Sequence, residues 1–143
     1  MTSHSIASLV EDFELLDDWE DRYRYIIELG RSLSPLGEAD HSEDNKVQGC
    51  ASQVWIRTDV ERGADGSPVL HFTGDSDAII VRGLIAVVFA LYDNKPARFI
   101  AETDAVPELR KLGLDEHLSP QRSNGLKSMI ARMQADARRA LQG

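Results

Sequence analysis

The segment that most constrains the fold is residues 78–92, because it is apolar almost all the way around a helical wheel. Its hydrophobic side chains include Ile79, Ile80, Val81, Leu84, Ile85, Val87, Val88, Phe89 and Leu91. A helix without a polar face has to be covered on every side by other parts of the protein. Arg82 interrupts the segment, which is also shorter than the ~18 apolar residues of a membrane span. We therefore predict a buried central helix from Ala78 to Tyr92, within a single domain of residues 1–143.

Periodic apolar residues divide the rest of the chain into helices and two strands. The predicted segments are helices at 6–16, 19–33, 107–112 and 120–141, and strands at 52–60 and 68–73. Turn-forming residues at 61–67 predict an antiparallel hairpin, and residues 74–77 are expected to end its second strand and cap the central helix. Val60 is expected on the apolar face of the first strand, and Leu141 on the inner face of the last helix. The predicted fold is α+β, with helices packed against a small antiparallel sheet.

Composition and charge exclude several classes of protein. The net charge is −8, and residues 1–45 alone carry 12 acidic and three basic side chains. An acidic chain is repelled by polyphosphate, so we expect no nucleic-acid partner. The N-terminus lacks the basic and apolar segments of a signal peptide, and one cysteine cannot form an internal disulfide. We expect a cytoplasmic protein with no membrane partner.

Cys50 is the residue with the clearest chemical potential. It follows a polar loop and Gly49 and precedes strand-forming residues, and loops held by a sheet are common positions for reactive groups. The alternative is a small buried hydrophobic residue, since free cysteine is often buried. One cysteine and four dispersed histidines give no recognisable zinc or iron–sulfur ligand set, and the chain has no Gly-rich phosphate loop. The residues alone predict a reactive thiol, no metal and no cofactor.

Four blocks of sequence carry a resemblance to a known family. The block around the cysteine is Asn45-Lys46-Val47-Gln48-Gly49-Cys50-Ala51-Ser52-Gln53-Val54-Trp55. The other blocks are residues 19–31, residues 74–84 (Gly-Asp-Ser-Asp-Ala-Ile-Ile-Val-Arg-Gly-Leu) and residues 112–126. In this order, across about residues 6–141, the chain resembles the SufE family of sulfur-acceptor proteins. Ala51 departs mildly from the glutamine or serine expected after the cysteine.

The resemblance implies a specific activity. Cys50 would accept sulfane sulfur from a pyridoxal-phosphate-dependent cysteine desulfurase of the SufS or CsdA kind, and the protein would stimulate that desulfurase. The sulfur would pass to an iron–sulfur scaffold complex or another acceptor, and the protein would carry no cofactor. The implied fold is similar to that of the U-type iron–sulfur scaffold proteins. Those scaffolds hold a cluster with several cysteines, so a single cysteine excludes that role here.

The resemblance also points to residues around Cys50. Arg122 matches the family's arginine near the cysteine loop, where it would stabilise the thiolate or hold the loop. Its alternative is a solvated arginine in the first turn of a helix. The candidate partner interface consists of Lys46, Gln48, Gly49, Ser52, Gln53 and Asp75. Asp75 is also interpreted as a helix cap, and Lys46 as a solvated flank whose charge lowers the thiol pKa.

Two other functions remain open at this point. One is a thiol-based redox-sensing or adaptor protein, in which Cys50 is simply oxidised. The other is a cysteine hydrolase, which needs a base close to the thiol. His71 and His117 are candidates for that base, although a lone histidine is more commonly a surface or core-edge residue.

Overall fold

The computed structural model of the protein describes residues 5–49 and 52–142, apart from the side chain of Asp115. A β-hairpin forms the sheet's main part, with β1 at Val54–Arg62 and β2 at Pro68–Ser76. The strands are antiparallel and pair from Val54 with Ser76 to Arg62 with Pro68. A two-residue strand, β3 (Lys95–Pro96), pairs antiparallel with β2 and completes the order β1-β2-β3.

The helix predicted to be central is buried. Helix α3 (Ile79–Tyr92) contributes Leu84, Ile85 and Val87 to the core, each at most 1% exposed. The hairpin contributes alternate residues from one face, including Ile56 and Leu70, because successive strand side chains point to opposite faces. The sheet and α3 therefore form the two central layers of the core.

Two N-terminal helices cover another side of α3. Helix α1 spans Ile6–Glu14 and α2 spans Trp19–Arg31, and each begins at a polar cap. The Asp18 carboxylate accepts a hydrogen bond from the Glu20 N–H at 2.7 Å, which satisfies one of the free donors at the start of α2. Helices α2 and α3 cross so closely that a Cβ on Gly30 would lie 2.6 Å from the Gly83 nitrogen.

The C-terminal part of the chain surrounds the remaining side of the core. Its helices are α4 (Ala97–Glu102), α5 (Val106–Lys111), α6 (Leu114–His117) and α7 (Pro120–Gln142). Helix α7 is the longest, and it buries Met129, Ile130 and Met133 against the other elements. Within the described ranges, no helix is both long and apolar enough to cross a lipid bilayer.

The predicted α+β architecture is confirmed, and the differences lie in details. Strand β2 continues to Ser76, beyond the predicted end at residue 73. The short elements β3, α4 and α6 were not predicted, because segments this short carry little periodic pattern; the equally short α5 was predicted because Pro107 and Gly113 mark its two ends. Val60 and Leu141 were predicted to face the core but are 52% and 44% exposed, since both lie at ends of elements that extend beyond the packed layers.

Candidate functional site

The chain on the two sides of residues 48–53 is paired at the start of the hairpin. The Val47 N–H donates to the Val54 carbonyl at 2.8 Å, and the Ile56 N–H donates to the Asn45 carbonyl at 2.8 Å. Lys46 and Trp55 form an antiparallel bridge between these two bonds. Residues 45–47 are thus paired with the start of β1, and we call the segment between the paired residues, 48–53, the cysteine loop.

The N-terminal end of the cysteine loop packs against helix α7. Gly49 has a φ of +91°, a left-handed conformation that glycine adopts far more easily than other residues. A Cβ at this position would also meet the Ser128 hydroxyl oxygen at 2.7 Å. Gly49 is therefore required both by its backbone conformation and by its close approach to α7.

The C-terminal end of the cysteine loop is attached at the junction of β2 and α3. The Gln53 N–H donates to the Asp77 carboxylate at 3.1 Å, and the Asp77 N–H donates back to the Gln53 carbonyl at 3.4 Å. Gln48, Gly49 and Gln53 are exposed, whereas Lys46 and Ser52 are half-buried. Cys50 itself lies outside the described residues, between these two attached flanks.

A groove with a volume of about 270 Å³ adjoins the cysteine loop. Its lining residues, which we call the loop groove, are Ser52, Val54, Val81, Leu84, Ser119, Gln121, Arg122, Gly125 and Met129. Its lining combines the apolar side chains Val54, Leu84 and Met129, each at most 1% exposed, with polar side chains contributed largely by the start of α7. Such a combination of apolar surface and a few polar groups is typical of a binding pocket.

Arg122 is positioned by the first turn of α7. Its N–H donates to the Ser119 hydroxyl at 3.2 Å, and its side chain is exposed and lines the loop groove together with Ser52. Arg122 and Ser52, which follows Cys50 by two positions, therefore line the same groove. Its effect on the thiol remains a prediction.

Asp75 has a different position from the predicted helix cap. It lies within β2, and helix α3 begins after Ala78 without a side-chain cap; the nearby Ala78 N–H donates to Ser76 instead. The cap interpretation of Asp75 is therefore wrong, because the strand continues past the predicted turn. Asp75 binds His41 Nε2 at 2.7 Å and Arg82 Nε at 2.8 Å.

The pair formed by His41 and Asp75 has altered titration behaviour. The hydrogen bond to Asp75 raises the pKa of His41 above its ordinary value of 6.5, and the Gly37 carbonyl, 3.0 Å from His41 Nδ1, adds to this effect. Partial burial acts to raise the pKa of Asp75, but its hydrogen bonds from His41 and the Ser76 N–H and the Arg82 charge together lower it. The His41 ring also contacts Trp55 edge-on, with 4.6 Å between ring centroids. This cluster fixes the segment before the cysteine loop to the hairpin.

A second polar cluster holds the same segment from the side of α7. Arg132 donates to the Asp44 carbonyl at 2.9 Å and to the Lys46 carbonyl at 3.4 Å, and it pairs with Asp136 at 3.2 Å. Neither His41 nor Arg132 was predicted from the sequence as a site residue. The spacing of Arg132 and Asp136 along a helix was a visible signal of their pairing, but nothing local indicates a contact with residues 44–46.

The two histidines considered as a catalytic base have other contacts. His117 stacks on Trp19 with 3.9 Å between ring centroids, and His71 pairs with Glu61 on the exposed hairpin at 2.7 Å. Neither lines the loop groove. Across residues 5–49 and 52–142, no group of three or more His, Asp, Glu or Cys side chains is arranged to hold a metal ion.

Comparison with known proteins places the chain in a family. Residues 7–137 match the family described as "SufE: Fe-S metabolism associated domain". An uncharacterised SufE-like protein of Rhizobium etli is 53% identical over 134 residues, which cover 94% of this chain and 90% of that protein. Another from Rhizobium meliloti is 51% identical over 133 residues, covering 93% of this chain and 94% of that protein.

A solved structure supports the fold independently. The solution structure of a hypothetical protein from Thermus thermophilus has a TM-score of 0.77 to this chain and covers 100% of both chains. At 22% identity, this likeness concerns the fold alone. Because the family match spans most of the chain and two relatives share about half of its residues, this protein belongs to the SufE family, which is associated with iron–sulfur metabolism.

Proposed function

We propose that this protein is a sulfur carrier that uses Cys50 to take sulfane sulfur from a pyridoxal-phosphate-dependent cysteine desulfurase of the SufS or CsdA kind. It stimulates that desulfurase and passes the sulfur to an iron–sulfur scaffold complex or another acceptor. The main structural support is a cysteine loop whose two flanks are attached to different elements, next to a groove lined by both apolar and polar side chains. Membership in a family associated with iron–sulfur metabolism agrees with this function.

The transfer is a thiol exchange that needs no external oxidant. The Cys50 thiolate attacks the outer sulfur of the persulfide on the desulfurase, and a new S–S bond forms on Cys50. The old S–S bond breaks, and the cysteine of the desulfurase leaves as a thiolate. In a second exchange, a thiolate of the acceptor attacks the outer sulfur of the Cys50 persulfide, and Cys50 leaves as a thiolate. Arg122 on the loop groove favours the ionised thiol, because a nearby cation stabilises a thiolate.

The loop groove protects the product of this exchange. A persulfide is easily reduced or oxidised and has to be shielded until delivery. Val54, Leu84 and Met129 line the groove next to the flank of Cys50, together with polar side chains of α7. A volume of about 270 Å³ is ample for a side chain that carries one additional sulfur atom. We propose that the cysteine loop turns toward this groove in the free protein and away from it when a partner docks.

The surface around the cysteine loop is the proposed docking site for the desulfurase. Its exposed residues are Gln48, Gly49 and Gln53, and its half-buried residues are Lys46, Ser52 and Asp75. We propose that the protein acts as a single domain in the cytoplasm, where reducing conditions keep a lone thiol available.

Intact-mass spectrometry tests the proposed function directly. The protein is incubated with a cysteine desulfurase, pyridoxal phosphate and cysteine, and a gain of one sulfur atom is expected that a reductant reverses. Cys50→Ser should gain no sulfur and should not stimulate the desulfurase, because a hydroxyl is a far weaker nucleophile than a thiolate. A redox sensor would instead gain oxygen or form a disulfide upon treatment with peroxide, and it would take no sulfur from the desulfurase. Sulfur uptake by Cys50→Ser would contradict the assignment.

A further inference from the structure

Arg132 connects helix α7 to the chain just before the cysteine loop. Its Nη2 donates to the Asp44 carbonyl at 2.9 Å and its Nη1 to the Lys46 carbonyl at 3.4 Å. The Arg132 side chain is only 21% exposed, although it carries a full charge. The guanidinium group suits this position, since its planar fork presents several donors in fixed directions.

The other side of the Arg132 guanidinium is fixed by a buried carboxylate. Asp136 is 7% exposed and accepts hydrogen bonds from Arg132 Nε, from Arg139 and, at 2.7 Å, from the Thr58 hydroxyl of β1. A buried carboxylate with several donors is held in one orientation, because each lost contact leaves a desolvated charge. Arg132 is therefore held rigidly while it binds the carbonyls of Asp44 and Lys46.

These contacts lie close to the hydrogen bonds that close the cysteine loop. Lys46, whose carbonyl Arg132 binds, also bridges to Trp55, and it precedes Val47, whose N–H closes the loop. One turn before Arg132 on the same helix, Ser128 packs against Gly49. Two successive turns of helix α7 thus contact Gly49 at the N-terminal end of the cysteine loop and residues 44–46 just before it.

We propose that Arg132 is a positioning residue for the thiol of Cys50: it fixes residues 44–46 to α7 and thereby sets how the cysteine loop is presented. The proposal rests on the proposed function for its effect on sulfur transfer. The residues that Arg132 holds are half-buried or exposed, so water can replace the lost hydrogen bonds when Arg132 is absent. Its loss therefore loosens the loop locally, and it also lowers global stability, because the buried Asp136 loses one of its hydrogen-bond donors.

Arg139 provides a matched control. It binds the same carboxylate and carries the same charge, but its side chain is 69% exposed, and within the described residues its hydrogen bond is to Asp136 alone. Arg132→Gln and Arg139→Gln each remove one positive charge and one partner of Asp136. Only Arg132→Gln also removes the contacts with Asp44 and Lys46.

Hydrogen exchange and thiol reactivity test the loop contact without any sulfur donor. In Arg132→Gln, the amides of Val47 and Ile56 should exchange about tenfold faster than in the wild type, because local opening becomes easier. The rate constant for alkylation of Cys50 by iodoacetamide should rise at least about threefold for the same reason. Arg139→Gln should stay close to the wild type in both measurements. Equal behaviour of the two variants in exchange and alkylation would overturn the proposal.

Sulfur uptake then tests the role in transfer. Arg132→Gln should lower the maximal rate of sulfur uptake several-fold and leave the half-saturating desulfurase concentration unchanged, since Arg132 lies behind the loop and not on the docking surface. Arg132→Lys should restore part of the rate, because an ammonium group keeps the charge but lacks the planar fork of the guanidinium. If Arg132→Gln does not fold, Arg132→Lys takes its place in the same measurements. Wild-type uptake by Arg132→Gln would overturn the positioning role. If the wild type takes up no sulfur, the proposed function fails, while exchange and alkylation still decide the loop contact.

Discussion

His41 shows how a single side chain makes the site sensitive to pH. Its two ring nitrogens face two acceptors, the Asp75 carboxylate and the Gly37 carbonyl. A neutral imidazole has one N–H and can donate to only one of them, whereas the imidazolium donates to both. The folded protein therefore favours the protonated form, in agreement with the raised pKa of His41.

The stability contributed by this pair has a defined pH range. Because the pKa of His41 is raised on folding, its contribution is fully present below the ordinary value of 6.5 and is lost as the pH rises through the folded pKa. The pKa of Asp75 is lowered, so its contribution is present above 3.8 and is lost as the pH falls through the folded pKa. The pair is thus most stabilising between pH 3.8 and pH 6.5, the ordinary pKa values of the two groups.

Replacement of His41 should remove this pH dependence. His41→Gln should lower the free energy of unfolding by about 1 kcal/mol at pH 5–6, and the difference should decrease toward pH 8. Urea denaturation at several pH values measures this change. An NMR titration should give a midpoint above 6.5 for His41 in the wild type and a lower midpoint in Asp75→Asn. A pH-independent difference would show that the pair does not titrate as described.

Arg122 should influence the rate of sulfur transfer and not stability. Arg122→Ala should slow sulfur uptake by about 5- to 10-fold, because the proposed stabilisation of the thiolate by the Arg122 charge is lost. The midpoint of thermal unfolding should change little, since the side chain is exposed. Arg122→Lys should rescue the rate in part. Arg138→Ala is the control, because Arg138 is also exposed on α7 but lies about 24 Å farther along the helix axis.

At the scale of elements, the crossing of α2 and α3 determines where the loop groove forms. Gly30 and Gly83 allow the two backbones to come into direct contact, so the N-terminal half of α3 is held in place. Val81 and Leu84, which line the loop groove, lie on either side of Gly83 in that half. A shift of α3 would therefore displace one side of the groove.

Gly83→Ala tests this crossing. The added methyl would lie 2.7 Å from the Ile26 carbonyl carbon, so the two backbones have to separate. We expect a loss of about 1–3 kcal/mol in the free energy of unfolding, despite the better helix propensity of alanine.

Gly37→Ala is the matched control for this substitution. Gly37 has a φ of −63°, and its nearest neighbour would be 3.8 Å from the added Cβ, so the change should be neutral or slightly stabilising. Denaturant unfolding of both variants measures the difference. Equal stability of Gly83→Ala and the wild type would show that the helices have room to adjust.

At the scale of the whole molecule, helix α7 links the parts of the candidate site. Its 23 residues span about 34 Å. Arg122 at its start lines the loop groove, Ser128 packs against Gly49, and Arg132 binds the segment before the cysteine loop. Asp136 then binds Thr58 of the hairpin. One rigid element therefore sets the position of the groove relative to the loop.

The sequence by itself determined the elements that have a distinctive apolar segment or a distinctive turn. The apolar segment at 78–92 predicted the central helix, and the turn residues at 61–67 predicted the hairpin. Both are present, because the distribution of apolar residues decides which surfaces have to be buried and the turn residues decide where the chain reverses. The block around Cys50 also led to the family, which the comparisons confirm.

Only the tertiary structure decided how polar side chains hold the candidate site. His41 meets Asp75 34 positions later, and Arg132 reaches the Lys46 carbonyl across 86 positions. Asp75 was interpreted as a cap because its own neighbours are turn-formers, yet pairing with β1 extends the strand through it. Apolar burial follows from local periodicity, whereas polar contacts depend on which distant backbone is brought within about 3 Å, and that distance is set by packing of the whole chain.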